Sequence, residues 1–253
     1  MNRRLRSWTF VLPKEGSTPA ECEDAVGVDE AGRKFALADG ATEAFDAGHW
    51  ARRLTEAWVE SEPAPLAAEE FRAWAAAQGE WLRDYWRGRR LPWYGEEKAR
   101  GGSFAAFVGL RFESGGAGLG WRAVAVGDSC LVQLRAGRIQ TAMPISSHLG
   151  FNSCPALVPS AAALQESALA QSLTTQAGVA EPGDVFLLLS DAVAAWLLEL
   201  YETGRHTLAA EFDSLLAASE NETLTRLLRR KRRERRLKDD DVAIVRVLVN
   251  DER

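Results

Sequence analysis

Short apolar runs separated by polar turns make up most of the chain. Residues 25–28 and 34–38 are two such runs, and the turn residues between them predict a hairpin. Later runs predict strands at 101–112, 121–126, 130–135, 138–142, 185–189 and 242–249. The four runs between 101 and 142 follow one another closely, so they are expected to form a meander in a second sheet that packs on the first.

Longer stretches with helical character lie between and after these runs. They predict helices at 42–60, 67–89, 192–201, 207–218 and 222–236, the first of them capped by Thr42. This order of elements predicts an α+β fold, an antiparallel β-sandwich flanked by helical layers (α-β-β-α). Residues 143–182 have the composition of a long connection with one short helix.

Acidic residues lie at the ends of the predicted strands. Asp24 precedes the first strand of the hairpin and Asp39 follows the second, so antiparallel pairing places them side by side. Asp128 and Asp191 follow later strands, and Asp240 precedes the last one. Strand beginnings and neighbouring strand ends share an edge of an antiparallel sheet, so all five carboxylates are expected to converge. Because these distant positions must meet, residues 1–253 are predicted to form one domain.

A cluster of carboxylates needs a compensating charge. Two carboxylates about 4 Å apart repel by roughly 4 kcal/mol at an effective dielectric constant near 20. No Cys or His lies at ligand spacing in the cluster, so its oxygen donors favour Mg²⁺ or Mn²⁺ over zinc, with Ca²⁺ as a competitor. Two such ions activate a water and clamp a phosphoryl group, which is the chemistry of phosphoester hydrolysis. The alternative is a set of ordinary turn aspartates.

Six short motifs follow one another in the order found in a known family. They are Glu23-Asp24-Ala25, Ala38-Asp39-Gly40-Ala41 and the stretches 102–106, 126–129, 183–191 and 240–245. In this order they resemble the metal-dependent type 2C (PPM) serine/threonine protein phosphatases, over about residues 14–247. The segment Pro13-Lys14-Glu15-Gly16 before the first acidic pair resembles the bacterial stand-alone branch of that family.

The resemblance implies a role for each of these acidic residues. Asp39 resembles the carboxylate that bridges two metal ions, and the backbone carbonyl of Gly40 resembles a further ligand. Asp191 and Asp240 resemble ligands of the second ion. Asp128 resembles the residue near an additional ion of bacterial members.

The acidic pair Glu23 and Asp24 resembles the residues that hold metal-bound waters. The resemblance implies two or more Mn²⁺ or Mg²⁺ ions as cofactors and a bridging water as the attacking group. The catalytic residues are then expected to be Asp39 and Asp24, with Lys14 as a cation for substrate phosphate. The implied reaction is hydrolysis of phosphoserine and phosphothreonine on proteins, opposing a bacterial kinase. Residues 143–182 correspond to the variable flap beside the active site of this family.

Several positions depart from the family's pattern. Ala192 stands where the usual Ser-Asp-Gly has glycine, which excludes a glycine-only backbone conformation. Ala41 stands where some animal and plant relatives carry a histidine proposed to protonate the leaving group, and nearby His49 is expected to be a packing or surface residue. No arginine matches the one that captures substrate phosphate, and Lys14 is either its substitute or a solvated lysine. The alternative function is therefore a regulatory or binding module with weak or absent turnover.

Composition adds limits on location and partners. The 253 residues, 46% hydrophobic and 26% charged, suffice for one large core. No apolar run has the length of a membrane span and no signal-type core follows the first residues, so a cytoplasmic protein without a membrane partner is expected. Cys22, Cys130 and Cys154 lack CxxC spacing and are predicted to be reduced thiols.

The strongest charge run is residues 229–236. It is expected to be a solvated helix whose cations balance the nearby carboxylates, and the net charge of −5 makes a nucleic-acid partner the minor alternative. Arg226 and Arg229 are hypothesised to meet substrate phosphate if this helix faces the cleft. The expected partner is a phosphorylated protein, either a serine/threonine kinase or its target.

Overall fold

Two antiparallel sheets contain the strands of the computed structural model, which describes residues 3–89, 98–99, 101–115, 118–152, 154–204 and 221–251. The first sheet has the spatial order β1 (Arg3–Leu12), β11 (Val242–Asp251), β10 (Val185–Leu189), β6 (Cys130–Arg135) and β7 (Arg138–Met143). The second has the order β2 (Asp24–Asp29), β3 (Lys34–Gly40), β4 (Phe104–Gly115), β5 (Gly118–Val126) and β9 (Thr174–Ala180), with β8 (Val158–Pro159) paired to one end of β4.

The helices of the described residues are α1 (Ala47–Glu60), α2 (Ala68–Trp86), α3 (Ala162–Leu169), α4 (Asp191–Thr203) and α5 (Asn221–Arg233). The predicted start of the first helix at residue 42, with a Thr42 cap, is wrong. Asp46 has a left-handed backbone (φ 48°), which interrupts the turns before it, and α1 begins at the next residue. The predicted helix 207–218 lies outside the described residues. No helix in the described ranges is long and apolar enough to cross a membrane.

Alternate residues of each strand enter different layers. Along β3, Phe35 and Leu37 lie in the core between the two sheets, whereas Ala36 and Ala38 pack with the apolar residues of α1 and α2. On the outer face of the first sheet, apolar residues of α4 and α5 form the opposite helical layer. The predicted α-β-β-α arrangement is thereby confirmed.

The four strands predicted as one meander are divided between the sheets. β4 and β5 extend the sheet of β2 and β3, whereas β6 and β7 belong to the other sheet. The chain crosses between the sheets at Gly127, which has φ 94° and where a Cβ would lie 2.7 Å from the Cβ of Ala106. The prediction of a separate sheet for these four strands is wrong because hydrophobic alternation does not say which strands pair.

Residues 143–182 are more ordered than a simple connection. Besides a 3₁₀ turn at His148–Gly150 they contain β8, α3 and the seven residues of β9. The sequence prediction missed β9 because this edge strand exposes most of its residues and begins with the polar run Thr174-Thr175-Gln176. The predicted long connection is therefore wrong over residues 174–180.

An ion pair between a buried carboxylate, Asp184, and the partly exposed Arg135 fixes the start of β10, the strand that leads to Asp191. Asp184 is fully buried and accepts hydrogen bonds from Nε and Nη2 of Arg135 at 2.7 and 2.8 Å, from Nε2 of Gln133 at 2.8 Å and from the backbone N–H of Glu181 at 2.9 Å. Burial acts to raise the pKa of Asp184, but these hydrogen bonds outweigh it and leave the pKa below its ordinary value.

Asp184→Ala is expected to lower the free energy of unfolding by about 3–5 kcal/mol at pH 7, because Arg135 and Gln133 lose their buried acceptor. A carboxyl group whose folded-state pKa is lowered stabilises the protein above its unfolded-state pKa. The loss relative to wild type should therefore shrink below about pH 4. Urea unfolding at both pH values measures this difference.

Glu181→Ala is the matched control, because the half-exposed Glu181 carboxylate also pairs with Arg135, at 2.6 Å. Its loss should cost at most about 1 kcal/mol. Equal losses for the two variants would contradict the assignment of Asp184 as the central acceptor.

Candidate metal centre

The first two acidic residues face each other across the β2–β3 pair. Asp24 opens β2 and is the direct neighbour of Asp39, as the hairpin predicted. The next residue, Gly40, lies against the beginning of α1, because a Cβ there would be 2.8 Å from the carbonyl oxygen of Ala47. Helix α1 therefore covers this edge of the sheet, and Asp24 is only 5% exposed.

Three further acidic residues reach the same site from other elements. Asp128 is buried in the turn between β5 and β6, Asp191 is the first residue of α4 after β10, and Asp240 lies just before β11. Ser190 fixes the start of α4. Its Oγ accepts a hydrogen bond from the backbone N–H of Ala243 at 2.9 Å, and its own N–H donates to the Ala243 carbonyl at 3.1 Å.

The five carboxylates lie close enough to repel one another. Burial raises the pKa of Asp39 well above its ordinary value, and the charges of Asp24, Asp191, Asp128 and Asp240 raise it further. The pKa of Asp24 is also raised, because its burial and its carboxylate neighbours outweigh the lowering effect of the Ser190 hydroxyl. Burial raises the pKa of Asp128 to about 6, with the charge of Asp191 as the next largest cause. The predicted convergence of these residues is therefore observed.

The surroundings of Asp24 indicate that the cluster needs a proton or a cation. Both carboxylate oxygens of Asp24 are buried and lack a well-formed hydrogen bond within the described residues, and the nearby Ser190 hydroxyl lowers the pKa of Asp24 too little to offset its burial. A desolvated carboxylate without a partner is costly unless it takes up a proton or contacts a cation. The surrounding donors are carboxylate oxygens, the type that Mg²⁺ and Mn²⁺ prefer. In donor type and in charge, the residues of this site fit such ions.

The side chains do not, however, surround a position for an ion. In the described ranges, no three Asp, Glu, His or Cys side chains are arranged to hold a metal. Lys238 instead connects two of the predicted ligands, with its Nζ 2.8 Å from Oδ2 of Asp191 and 2.7 Å from Oδ2 of Asp240. The predicted ligands thus lie in one place, and metal coordination by them stays a prediction.

A buried residue that the sequence prediction did not single out holds the rim of the site together. Asp241 accepts a hydrogen bond from the backbone N–H of Lys14 on one oxygen and from that of Glu23 on the other, both at 2.8 Å. The Lys14 Nζ lies 3.4 Å from Glu23 Oε2 and 3.3 Å from Thr42 Oγ1, so Lys14 is held at the rim. The signal for Asp241 was its place as the last of three aspartates before a buried strand.

The structure shows the surroundings of two residues at which the chain departs from the family's pattern. Ala192 lies in the first turn of α4 with a helical backbone, so glycine is not required there. His49 pairs through Nδ1 with Asp46 at 2.5 Å and its ring packs beside Tyr85 and Trp86, as expected of a packing residue. No side chain is thereby identified as the acid for the leaving group.

The basic run is less solvated than expected. Lys231 and Arg232 are buried, and Arg232 donates from Nη1 to the Pro13 carbonyl at 2.9 Å and from Nη2 to the Asp240 carbonyl. The other six residues of the run are exposed, as expected of a solvated helix, and Arg232 departs from that expectation because its side chain fastens α5 to the edge of the site. Arg229, Arg232 and Lys14 line a pocket of about 350 Å³ on the same side.

Asp128→Asn is expected to stabilise the protein in EDTA by about 2–3 kcal/mol at pH 7, because the buried carboxyl has its pKa raised from 3.8 to about 6. The folded protein holds this proton more tightly than the unfolded chain does. The resulting stability is complete below the unfolded-state pKa and is lost as the pH rises through about 6. The gain over wild type should therefore vanish near pH 3.5 in urea unfolding.

Asp84→Asn serves as the control, because Asp84 is an exposed residue of α2 whose carboxylate pairs with Arg87. Its effect should stay within about 0.5 kcal/mol at both pH values. A gain for Asp128→Asn that does not change with pH would show that charge repulsion is not its cause.

By sequence, no protein-family model and no curated protein matches the chain. Solved structures do match in fold. The catalytic domain of the serine/threonine protein phosphatase PstP, in complex with two manganese ions, is 18% identical with a TM-score of 0.63, over 99% of this chain and all of that one.

Two further matches have similar coverage. PppA, a regulatory component of T6SS in Pseudomonas aeruginosa, is 20% identical with a TM-score of 0.59, over 98% of this chain and all of PppA. The PPM Ser-Thr phosphatase MsPP from Mycobacterium smegmatis is 17% identical with a TM-score of 0.54, over 96% and 97% of the two chains. The α+β fold of this chain is the fold of the PPM-type phosphatase catalytic domains.

Proposed function

We propose that this protein is a metal-dependent phosphatase that hydrolyses phosphoserine and phosphothreonine esters on proteins. The observation that carries the proposal is the pair of buried Asp24 and partly buried Asp39, whose charges are raised in energy by three more carboxylates on a fold shared with PPM-type phosphatases. A cluster of this charge suits divalent cations. Phosphoryl transfer in turn needs cations to neutralise the phosphoryl oxygens.

Asp39, Asp191 and Asp240 would hold the ions directly, with the carbonyl of Gly40, and Asp128 would serve an additional ion. Mn²⁺ or Mg²⁺ bound here supplies Lewis acidity that activates a water and neutralises charge on the phosphoryl group. The chain's own contribution is positioning. Ser190 fixes the start of α4, and with it Asp191, against β11.

The rim residues orient the acidic pair and meet the substrate. Asp241 anchors the backbone of Lys14 and Glu23, and the Lys14 ammonium holds the Glu23 carboxylate at 3.4 Å. Lys14, two residues after β1, thereby offers a cation beside the site, where a phosphate can approach it. Glu23 and Asp24 are then available to position waters rather than to bind substrate.

Protein substrate has an open approach next to Asp191. A cleft of about 420 Å³ lies between the 3₁₀ turn at His148–Gly150 and α4, and its lining includes Phe151, Trp196, Arg236 and Lys238. The flanking turn exposes Leu149 almost fully. We assign the segment around this turn to substrate contact, in place of the broader flap over residues 143–182.

A cysteine-based route is disfavoured at this site. Burial raises the pKa of Cys22 and of Cys130 to about 12, so both thiols are neutral at pH 7 and are poor nucleophiles. Water is therefore the proposed attacking group, and no covalent phosphoenzyme is expected. The physiological substrate would be a phosphorylated cytoplasmic protein, such as a kinase or the target of one.

A specific observation favours a second candidate, a binding or regulatory module on the same fold. Lys238 engages Asp191 and Asp240, and in the described part of the chain no three ligand-type side chains are arranged round an ion. A module of this kind would recognise phosphoproteins without turning them over.

The two candidates are separated by hydrolysis of p-nitrophenyl phosphate and of a phosphothreonine peptide in Mn²⁺, Mg²⁺ or EDTA. Wild type should turn over both substrates only with metal. Asp39→Asn and Asp191→Asn should each lower kcat/KM by about 100-fold or more, because several kcal/mol of transition-state stabilisation depend on the ions. Asp84→Asn, far along α2, should remain at the wild-type rate.

Absence of turnover with every metal, combined with metal binding in calorimetry, would replace the phosphatase proposal by the binding module. Turnover that persists in EDTA and in Asp39→Asn would show that another part of the molecule performs the reaction.

A further inference from the structure

Within the described part of the chain, Lys238 is the cation that pairs with two carboxylates of the candidate metal centre. It lies in the short loop between α5 and β11, and its ammonium group contacts the carboxylates of Asp191 and Asp240 at 2.8 and 2.7 Å. These two residues belong to different elements, the start of α4 and the end of the loop before β11. One side chain thus connects the two predicted ligands of a single ion.

The oxygens that Lys238 contacts are the ones that neither carboxylate uses elsewhere. Oδ1 of Asp191 accepts the backbone N–H of Ala192 at 2.5 Å, and Oδ1 of Asp240 accepts that of Asp241 at 3.0 Å. Lys238 holds Oδ2 of both. An ion that binds Asp191 and Asp240 while these backbone contacts persist finds its freest lone pairs on the same two Oδ2 atoms.

We propose that Lys238 is an internal competitor of the metal, a tethered monovalent cation that occupies the shared oxygens of Asp191 and Asp240 and thereby sets the affinity of this position for divalent ions. The ammonium group supplies one positive charge, and a divalent ion supplies two in the same place. Binding of the ion therefore requires the lysine to leave.

Lys238 can leave the two carboxylates by movement of its side chain alone. Its side chain is 62% exposed, and its long, unbranched stem lines the 420 Å³ cleft together with Arg236 and Glu199. The carboxylate of Glu199, on the α4 wall of that cleft, offers the ammonium another partner. The lysine can turn toward this cleft without movement of α4 or β11.

The exposure of the Lys238 side chain determines how strongly it competes with the metal ion. Ion pairs of exposed side chains contribute little each, and Lys238 makes two, so its removal should raise metal affinity by about three- to thirtyfold. The effect is confined to the position served by Asp191 and Asp240. The Asp24–Asp39 side of the centre, which Lys238 does not bridge, should change less.

The test is calorimetric titration of the protein with MnCl₂, without any phosphate ester, for wild type, Lys238→Met, Lys238→Arg and Arg236→Met. Lys238→Met keeps most of the stem and removes the charge, and it should lower the Kd for Mn²⁺ by about three- to thirtyfold. Lys238→Arg keeps a cation and should stay near wild type. Arg236→Met removes a neighbouring charge of the same cleft and should change the Kd less than twofold, because the cation paired with Asp191 and Asp240 is Lys238.

Thermal unfolding in EDTA supplies a second readout that also confirms folding. Lys238→Met should lower Tm in EDTA, since two carboxylates lose their cation, and should show a larger rise in Tm than wild type when Mn²⁺ is added. A Kd for Lys238→Met equal to or higher than that of wild type would overturn the proposal. An equal fall in Kd for Arg236→Met would also overturn it. Because the titration contains no substrate, its result is independent of whether the protein proves to be a phosphatase.

Discussion

Mutual repulsion among carboxylates at one edge of the β-sandwich is the constraint on which the remaining structure depends. Asp24 and Asp39 are held side by side by strand pairing, and Asp128 is carried there by the turn between the sheets. Burial leaves these charges with little water, so cations must come close. Lys238 and Arg232 both do so, the first through its ammonium and the second through the backbone of Asp240.

The sequence predicted those parts of the structure that depend on local pattern. The hairpin that sets Asp24 beside Asp39 follows from two short apolar runs and a turn, and the α-β-β-α layers follow from the order of elements. The sequence did not predict the exchange of strands between sheets at Gly127, because pairing depends on contacts between distant segments. It also missed β9, an edge strand that is stabilised by its backbone hydrogen bonds to β5 rather than by burial.

The site shows the same division between local and distant causes. The sequence prediction identified each of the five carboxylates from a short motif at the end of a strand. Asp241 and Lys238 were not found, because their importance lies in contacts with residues more than forty positions away: Asp241 with Lys14 and Glu23, Lys238 with Asp191. The expectation of a solvated basic helix holds for most of residues 229–236 but missed Arg232 for a similar reason, since Arg232 reaches back to Pro13.

The two hydrogen bonds that Asp241 accepts also determine when the site can form during protein synthesis. They join positions 218 and 227 residues apart, so the rim around Lys14 and Glu23 closes only after the last strand is available. Contacts of such separation form late, because the chain between them must first be organised. On the ribosome, the N-terminal hairpin with Asp24 and Asp39 emerges long before its electrostatic partners. During that interval the nascent hairpin is a solvated acidic turn, and the centre is assembled only when β11 joins β1 and β10.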